Sequence, residues 1–104
     1  KEAGGYCTFI EDYKAPFIFS NFNGTSHDIV VLTHEAGHAF QAYCSRDFDI
    51  VEYHNPTMEA CEIHSMSMEL LTWPWMHSFF KEDTEKYKFS AINGCMIFIP
   101  ALCL

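Results

Sequence analysis

Apolar residues recur along this chain first at the spacing of strands and then at the spacing of helices. Two short aromatic and β-branched runs, residues 6–10 and 16–20, flank the polar segment 11–15. Such runs predict two strands joined by a loop, with antiparallel pairing favoured. The Asn-Gly pair within residues 21–24 then predicts a turn.

Beyond the turn, the pattern changes to that of a helix. Apolar side chains and two histidines recur at helical spacing: Val30, Val31, His34, His38 and Ala42. Thr25 and Asp28 form the Ser/Thr-x-x-Asp/Glu pattern that marks a helix N-terminus. We therefore expect a first long helix from about Ser26 to Cys44.

A second helix is expected after a loop that occupies residues 46–54. Asn55 suits the N-cap and Pro56 suits the first helical position, so the helix should start there. It is expected to run to Thr72. Because proline lacks a backbone N–H, Pro74 should kink or interrupt the helix.

The C-terminal part of the chain has a charged segment and then an apolar one. A third helix is predicted from Thr84 to Ile92, with Asn93-Gly94 stopping it. Residues 95–104 carry no charge, and such a tail exposed on a monomer would favour association. We expect it to pack against this domain, against a second copy in a homo-oligomer, or against further polypeptide.

Size and charge exclude some classes of partner. At 104 residues the chain forms at most one small domain. Its formal net charge is −8 with only six Lys and Arg, whereas binding nucleic-acid phosphates takes clustered basic residues. No apolar run of transmembrane length is present. We therefore expect no nucleic-acid partner and no membrane partner.

Cysteine usage and the N-terminus bear on the cellular context. The five cysteines stand at positions 7, 44, 61, 95 and 103, an odd number without a CxxC pair. This favours reduced thiols in a cytoplasmic protein over a disulfide framework.

The first residues contain no signal-peptide core. Because the chain starts with Lys1 rather than Met, we expect it to be a piece of a longer protein.

The candidate chemistry lies on the first predicted helix. His34 and His38 are four residues apart, so both imidazoles leave the helix on one face. That spacing suits two nitrogen ligands on a tetrahedral zinc ion. Glu35 follows the first histidine, in the HExxH arrangement of zinc peptidases, where the glutamate is the general base. Gly37 and its alanine neighbours are small, so another element or a substrate can approach closely.

A catalytic zinc ion usually has three protein ligands, and spacing alone leaves the third open. The extended pattern HExxHxxGxxH fails, because Gln41 and Cys44 stand where it needs glycine and histidine. The Cys44 thiolate stays a candidate. Otherwise a glutamate of the second helix could serve, since Glu59, Glu62 and Glu69 fall on one helical stripe. The alternative for that stripe is a solvated acidic surface.

Three parts of the chain carry a family resemblance. They are GGYC with PFIFSNF (residues 4–7 and 16–22), HEAGHAF (34–40) and EIHSMSME (62–69). Through these segments the chain resembles the oligoendopeptidase F and thimet oligopeptidase group, the M3 family of zinc peptidases. The resemblance extends along the chain to about Pro100. The expected fold is mainly α and zincin-like: an HExxH helix, a following glutamate-bearing helix and the N-terminal strand pair.

The resemblance also implies a ligand set. In the family the third ligand is a glutamate on the helix after HExxH, with a second glutamate seven residues later. Glu62 and Glu69 match that pair, whereas Glu59 does not. By this resemblance His34, His38 and Glu62 would hold Zn²⁺, and Glu69 would orient a histidine ligand from the second coordination shell.

The function implied is that of a zinc metalloendopeptidase of the glutamate-zincin type acting on oligopeptides. Zinc activates a water, and Glu35 takes its proton and passes it to the leaving amine. Family members are much longer. Their upstream helical channel wall and their downstream histidine and tyrosine oxyanion donors are absent here, and losing one such donor costs about 10²–10³ in rate.

We expect residues 1–104 to be a single domain or fragment that forms the metal-binding core of the catalytic domain, weakly active or inactive alone. Two alternatives stay open. One is a non-catalytic metal-binding or self-associating fragment of such an enzyme. The other is a different glutamate-zincin that is not limited to short peptides.

Overall fold

The computed structural model describes residues 4–80. Two strands, β1 (Gly5–Ile10) and β2 (Ala15–Ser20), precede two helices, α1 (His27–Ser45) and α2 (Met58–Thr72). Three short 3₁₀ segments connect or follow them: Glu11–Tyr13, Val51–Tyr53 and Trp73–Ser78. The described part is mainly helical with a short strand pair near the N-terminus, and the predicted fold class is confirmed.

The strands pair antiparallel, as the sequence predicts. Gly5 lies opposite Ser20 and Ile10 lies opposite Ala15, so each strand begins one residue earlier than expected. In the connection, Lys14 adopts a left-handed conformation with φ of 48°. The backbone N–H of Lys14 donates to the carbonyl oxygen of Glu11 at 3.1 Å, which closes the tight link between the strands.

The two faces of the sheet differ in exposure. Cys7, Phe9 and Ile18 lie on one face and are half-buried, and both strands contact α1. Tyr6 and Phe19 lie on the other face, where their rings stack with centroids 5.4 Å apart. Because side chains alternate across a strand, the sheet covers α1 with one face and presents aromatic rings on the other.

The start of α1 is organised by Asp28. Its carboxylate accepts hydrogen bonds from the backbone N–H groups of Asn23, Gly24 and Thr25, at 3.0, 2.7 and 3.1 Å. The Thr25 hydroxyl does not return the bond but donates to Asn23 Oδ1 at 2.6 Å. Of the predicted capping pair, only Asp28 bonds to its partner through its side chain. At its other end, α1 runs one residue beyond the predicted range.

The predicted start of α2 at Asn55 and Pro56 is wrong by two residues. The first helical carbonyl acceptor belongs to Thr57, which takes the Cys61 N–H at 2.9 Å. The Thr57 hydroxyl also accepts the Ala60 N–H at 3.4 Å. Thr57 thus serves as the N-cap, because its side chain satisfies one of the backbone donors that a helix start leaves unpaired.

The end of α2 agrees with the sequence. The helix stops at Thr72, and Pro74 lies in the first turn of the 3₁₀ segment that follows, so the predicted interruption is confirmed. The predicted helix 84–92 and the apolar segment 95–104 lie outside the described residues.

The chain divides into two compact units, with the boundary between Glu69 and Leu70. The strands, α1 and α2 up to Glu69 belong to the first unit, which contains the site described below. Over residues 4–80, neither helix combines the length and the apolar character that crossing a bilayer would take.

Candidate metal centre

The two histidines of the HExxH segment face each other along α1. His34 Nε2 and His38 Nε2 are 3.2 Å apart, and the ring planes meet edge to face with centroids 4.9 Å apart. Residues four apart on a helix lie one turn above each other, so the helix itself produces this pairing. Both side chains are about a quarter exposed, so they are held in place yet remain accessible to solvent.

A third donor reaches the histidines from α2. One carboxylate oxygen of Glu62, Oε2, lies 3.4 Å from His34 Nε2, and the other, Oε1, lies 3.9 Å from His38 Nε2. Among residues 4–80, these three side chains are the one group of histidine, cysteine and acidic residues with ligand atoms all within 4.8 Å. The described structure does not bring Glu59 or Cys44 into this group.

The donor set fits a zinc ion in chemistry and in spacing. Two imidazole nitrogens and one carboxylate oxygen are a common ligand set for catalytic zinc. Metal–ligand bonds of about 2.0–2.1 Å in a tetrahedron separate the ligand atoms by about 3.3 Å. The two imidazole nitrogens are 3.2 Å apart, and each histidine lies nearest a different oxygen of Glu62, at 3.4 Å for Oε2 and 3.9 Å for Oε1. One ligand atom from each of the three side chains lies within 4.8 Å of the other two, so a single ion could be shared by all three.

Glu69 binds the opposite side of the His34 ring. Its Oε1 lies 2.6 Å from His34 Nδ1. An ionised carboxylate only accepts hydrogen bonds, so this contact favours a proton on Nδ1, while Nε2 lies on the side of His38 and Glu62. This hydrogen bond is the main reason that the pKa of His34 is raised, with burial opposing and the charges of Glu69, Glu62 and Glu35 adding to it.

Glu35 lies on α1 beside the strand pair and outside the ligand group. A side chain at Gly5 would meet Glu35 Cγ at 3.3 Å and Val31 Cγ1 at 2.9 Å, so β1 passes directly over this part of the helix. Burial raises the pKa of the Cys7 thiol, and the nearby Glu35 charge raises it further. Glu35 is thus a half-buried residue between helix and strand, with its charge near His34 but not among the three donors.

Sequence reasoning missed two residues that hold this arrangement together. Gly5 lets β1 approach α1, and Ser65 is fully buried where α2 meets α1. Both stand in segments that carry the family resemblance, but the only indication of a close approach was the group of small residues around Gly37, which did not name the partner. Contacts of this kind depend on how elements pack, and a single sequence does not reveal them.

A family comparison matches nearly the whole chain. The model of peptidase family M3 matches residues 1–96. A search of curated proteins finds no match.

Solved structures agree with the family comparison. One neighbour, assigned as an oligoendopeptidase F from Bacillus anthracis str. Ames, is 70% identical with a TM-score of 0.84, and the match covers 96% of this chain. PZ peptidase A with an inhibitor is 69% identical with the same TM-score and coverage. The chain spans 18% of the length of each neighbour. From the family match and these structural neighbours together, the chain belongs to peptidase family M3.

Proposed function

We propose that this chain is the metal-binding core of a zinc metallopeptidase that hydrolyses oligopeptides. The observation that carries the proposal is the set of three donors, two imidazole nitrogens and one carboxylate, whose ligand atoms lie within 4.8 Å of one another and form a common ligand set for zinc. Family membership and neighbours named oligoendopeptidase F and PZ peptidase A support the peptide substrate class. In this proposal residues 1–104 form one functional fragment of a catalytic domain.

In the proposed mechanism each residue of the centre has one task. His34, His38 and Glu62 hold the metal, and Glu69 keeps the proton of His34 on Nδ1 so that Nε2 can bind. A zinc ion held there would polarise the scissile carbonyl and lower the pKa of a water. Glu35 takes a proton from the attacking water and delivers it to the leaving amine as the peptide bond breaks.

The surroundings of Glu35 support its role as the base. The side chain lies under β1, close enough to Cys7 and His34 for its charge to raise both of their pKa values. It is not one of the three metal donors, so its carboxylate stays available for proton transfer. A base of this kind must reach the water while leaving the coordination shell complete.

Peptide hydrolysis by the Glu35→Gln variant tests the proposal. A short internally quenched peptide is the substrate, and Glu52→Gln, an exposed glutamate of a 3₁₀ segment, is the matched control. We expect Glu35→Gln to lose about 10²–10⁴ in rate while its zinc content stays that of the parent chain. Parent-like hydrolysis by Glu35→Gln would contradict the proposed role.

The same assay separates the two alternatives. A parent chain that binds zinc but cleaves no peptide would be a non-catalytic metal-binding fragment. Cleavage of a folded protein at a rate similar to that of the short peptide would indicate a glutamate-zincin without the oligopeptide restriction. Preferential cleavage of the short peptide supports the proposal.

We also propose a reducing compartment such as the cytoplasm for this protein. Among the described residues, Cys7, Cys44 and Cys61 are free thiols. Free thiols of this kind are typical of compartments where glutathione and thioredoxin keep cysteines reduced. A reducing environment would also keep the Cys7 thiol unmodified beside Glu35.

A further inference from the structure

The helices α1 and α2 meet backbone to backbone at Gly37 and Ser65. A Cβ added to Gly37 would overlap Ser65 Cα, and it would lie 2.8 Å from the His64 carbonyl oxygen and 3.0 Å from the Ser65 nitrogen. All three are backbone atoms, so no side-chain rotation could make room. A residue larger than glycine would force the helices apart or change the angle at which they cross.

The proposed metal ligands lie directly beside this contact. His38 follows Gly37 in α1, and Glu62 precedes Ser65 by one turn of α2. The Ser65 hydroxyl donates to the Glu62 backbone carbonyl at 3.0 Å, and Ser65 is completely buried. The point where the helices touch is therefore within one turn of a ligand on each helix.

Separating the helices would affect the three ligand distances unequally. The distance of 3.2 Å between His34 and His38 is set within α1. The distances from Glu62 to the two histidines, 3.4 and 3.9 Å, span both helices. An increase in helix separation would thus move Glu62 away from both histidines while leaving the histidine pair intact.

We infer that Gly37 is a positioning residue of the metal centre, whose missing side chain lets α2 bring Glu62 within ligand distance of the histidines. This inference rests on the proposed zinc centre. It adds which residue sets the distance between Glu62 and the two histidines. Gly37 touches neither metal nor substrate in this account. It acts through the helix crossing, with Ser65 as the opposing surface.

A purely structural role for Gly37 predicts a different result from a positioning role. If the contact only packs the fold, an added methyl group should change stability and leave zinc affinity per folded chain unchanged. In an unhindered helix interior, replacing glycine by alanine stabilises the fold because the unfolded chain loses freedom. A positioning role instead predicts weaker zinc binding by a chain that retains its helical content.

The test compares the Gly37→Ala variant with the parent 104-residue chain. Zinc affinity is measured by competition with a chromophoric chelator, and Co²⁺ is added separately to record the visible spectrum of the site. We expect helicity by circular dichroism to be retained, zinc affinity to fall about 10–100-fold, and the Co²⁺ bands to change because the coordination geometry changes. Cys44→Val is the matched control, since Cys44 is an exposed residue of α1 and the change also adds bulk.

A second variant enlarges the contact from the other helix. Ser65→Thr adds one methyl group at the buried position on α2 while keeping the hydroxyl, and we expect it to weaken zinc binding in the same direction. If Gly37→Ala does not fold, Ser65→Thr decides the question. Weaker zinc binding by a folded Ser65→Thr chain supports the inference, and parent-like affinity overturns it.

The outcomes distinguish this inference from the proposed function. A parent chain that binds no zinc overturns the proposed centre and with it the positioning role. Zinc binding by the parent with an unchanged affinity and Co²⁺ spectrum in Gly37→Ala overturns the positioning role alone. An equal loss of affinity in Cys44→Val would also overturn it, because the effect would not be specific to the crossing.

Discussion

At the scale of single residues, the proposed zinc ligand His34 has a carboxylate behind its ring. Glu69 Oε1 lies 2.6 Å from His34 Nδ1, a contact that favours a proton on Nδ1 and holds the ring in place. Groups behind metal ligands commonly change metal affinity by one or two orders of magnitude. The spacing of the residues placed Glu69 only on an acidic stripe, and the family resemblance was needed to give it a histidine partner, since that partner lies 35 residues away on another helix.

Replacing Glu69 by glutamine tests this dependence. The amide oxygen can still accept the Nδ1 proton, but the negative charge that favours the proton there is gone. We therefore expect zinc affinity to fall about 10-fold, measured by chelator competition. The exposed Glu59, changed to Gln on the same helix, is the control, and equal affinities in both variants would contradict the role of Glu69.

The reactivity of Cys7 gives an independent measure of the Glu35 charge. Burial and the Glu35 carboxylate both raise the pKa of this thiol, so little reactive thiolate forms near neutral pH. Glu35→Gln removes the smaller of these two causes, and the pKa should fall part of the way towards its ordinary value. The alkylation rate of Cys7, followed by peptide mass spectrometry across a pH series, should then rise at lower pH than in the parent. An unchanged profile would show that Glu35 does not face Cys7.

At the scale of elements, the position of α1 depends on its N-terminus. The Asp28 carboxylate is buried and accepts three backbone N–H groups from the preceding turn. The donors belong to exposed residues of the turn, so the three bonds hold the turn against the buried carboxylate and also satisfy the oxygens of Asp28, which burial would otherwise leave without partners. Asp28 thereby connects the turn after the sheet to α1 and to the histidines on it.

Removing this acceptor should cost measurable stability. We expect Asp28→Ala to lower the free energy of unfolding by about 1–2 kcal/mol, measured by urea denaturation. Asp28→Asn keeps one acceptor oxygen and should lose less. Asp49→Ala, at an exposed position outside the helices, serves as the control. A loss no larger than that of the control would indicate that the turn is held by other contacts.

The elements themselves were largely predictable, and their ends were not. The helical spacing of apolar residues was sufficient to predict α1. The proline at position 74 was sufficient to predict the end of α2. The start of α2 was wrong because Asn55 and Pro56 form a good start signal by local criteria. Thr57 forms the better cap in the folded chain, since its hydroxyl and its carbonyl both find helical donors.

At the scale of the whole molecule, the centre joins two helices that are distant in sequence. The histidine pair follows from HExxH spacing within one helix, so the sequence alone was enough to propose it. The choice of Glu62 over Glu59 required the family resemblance, because both lie on the same stripe. In the structure α2 brings Glu62 close to the two histidines, and we infer that the close contact between Gly37 and Ser65 sets where α2 crosses α1.

The chain corresponds to 18% of the length of its structural neighbours. Zinc binding is the property to measure on the chain alone, because all the proposed ligands lie within it. The proposed centre consists of three side chains within the described residues. Zinc binding by these side chains can be tested whether or not other parts of an M3 peptidase are needed for efficient hydrolysis.

The measurement that tests this claim most directly is the zinc content of the purified 104-residue chain and its Glu62→Ala variant, by elemental analysis after reconstitution. Glu59→Ala is the matched control on the same helix. The account predicts about one zinc ion per parent chain, a similar value for Glu59→Ala, and loss of most of the metal in Glu62→Ala. Equal zinc content in all three chains, or none in the parent, would contradict a centre formed by His34, His38 and Glu62.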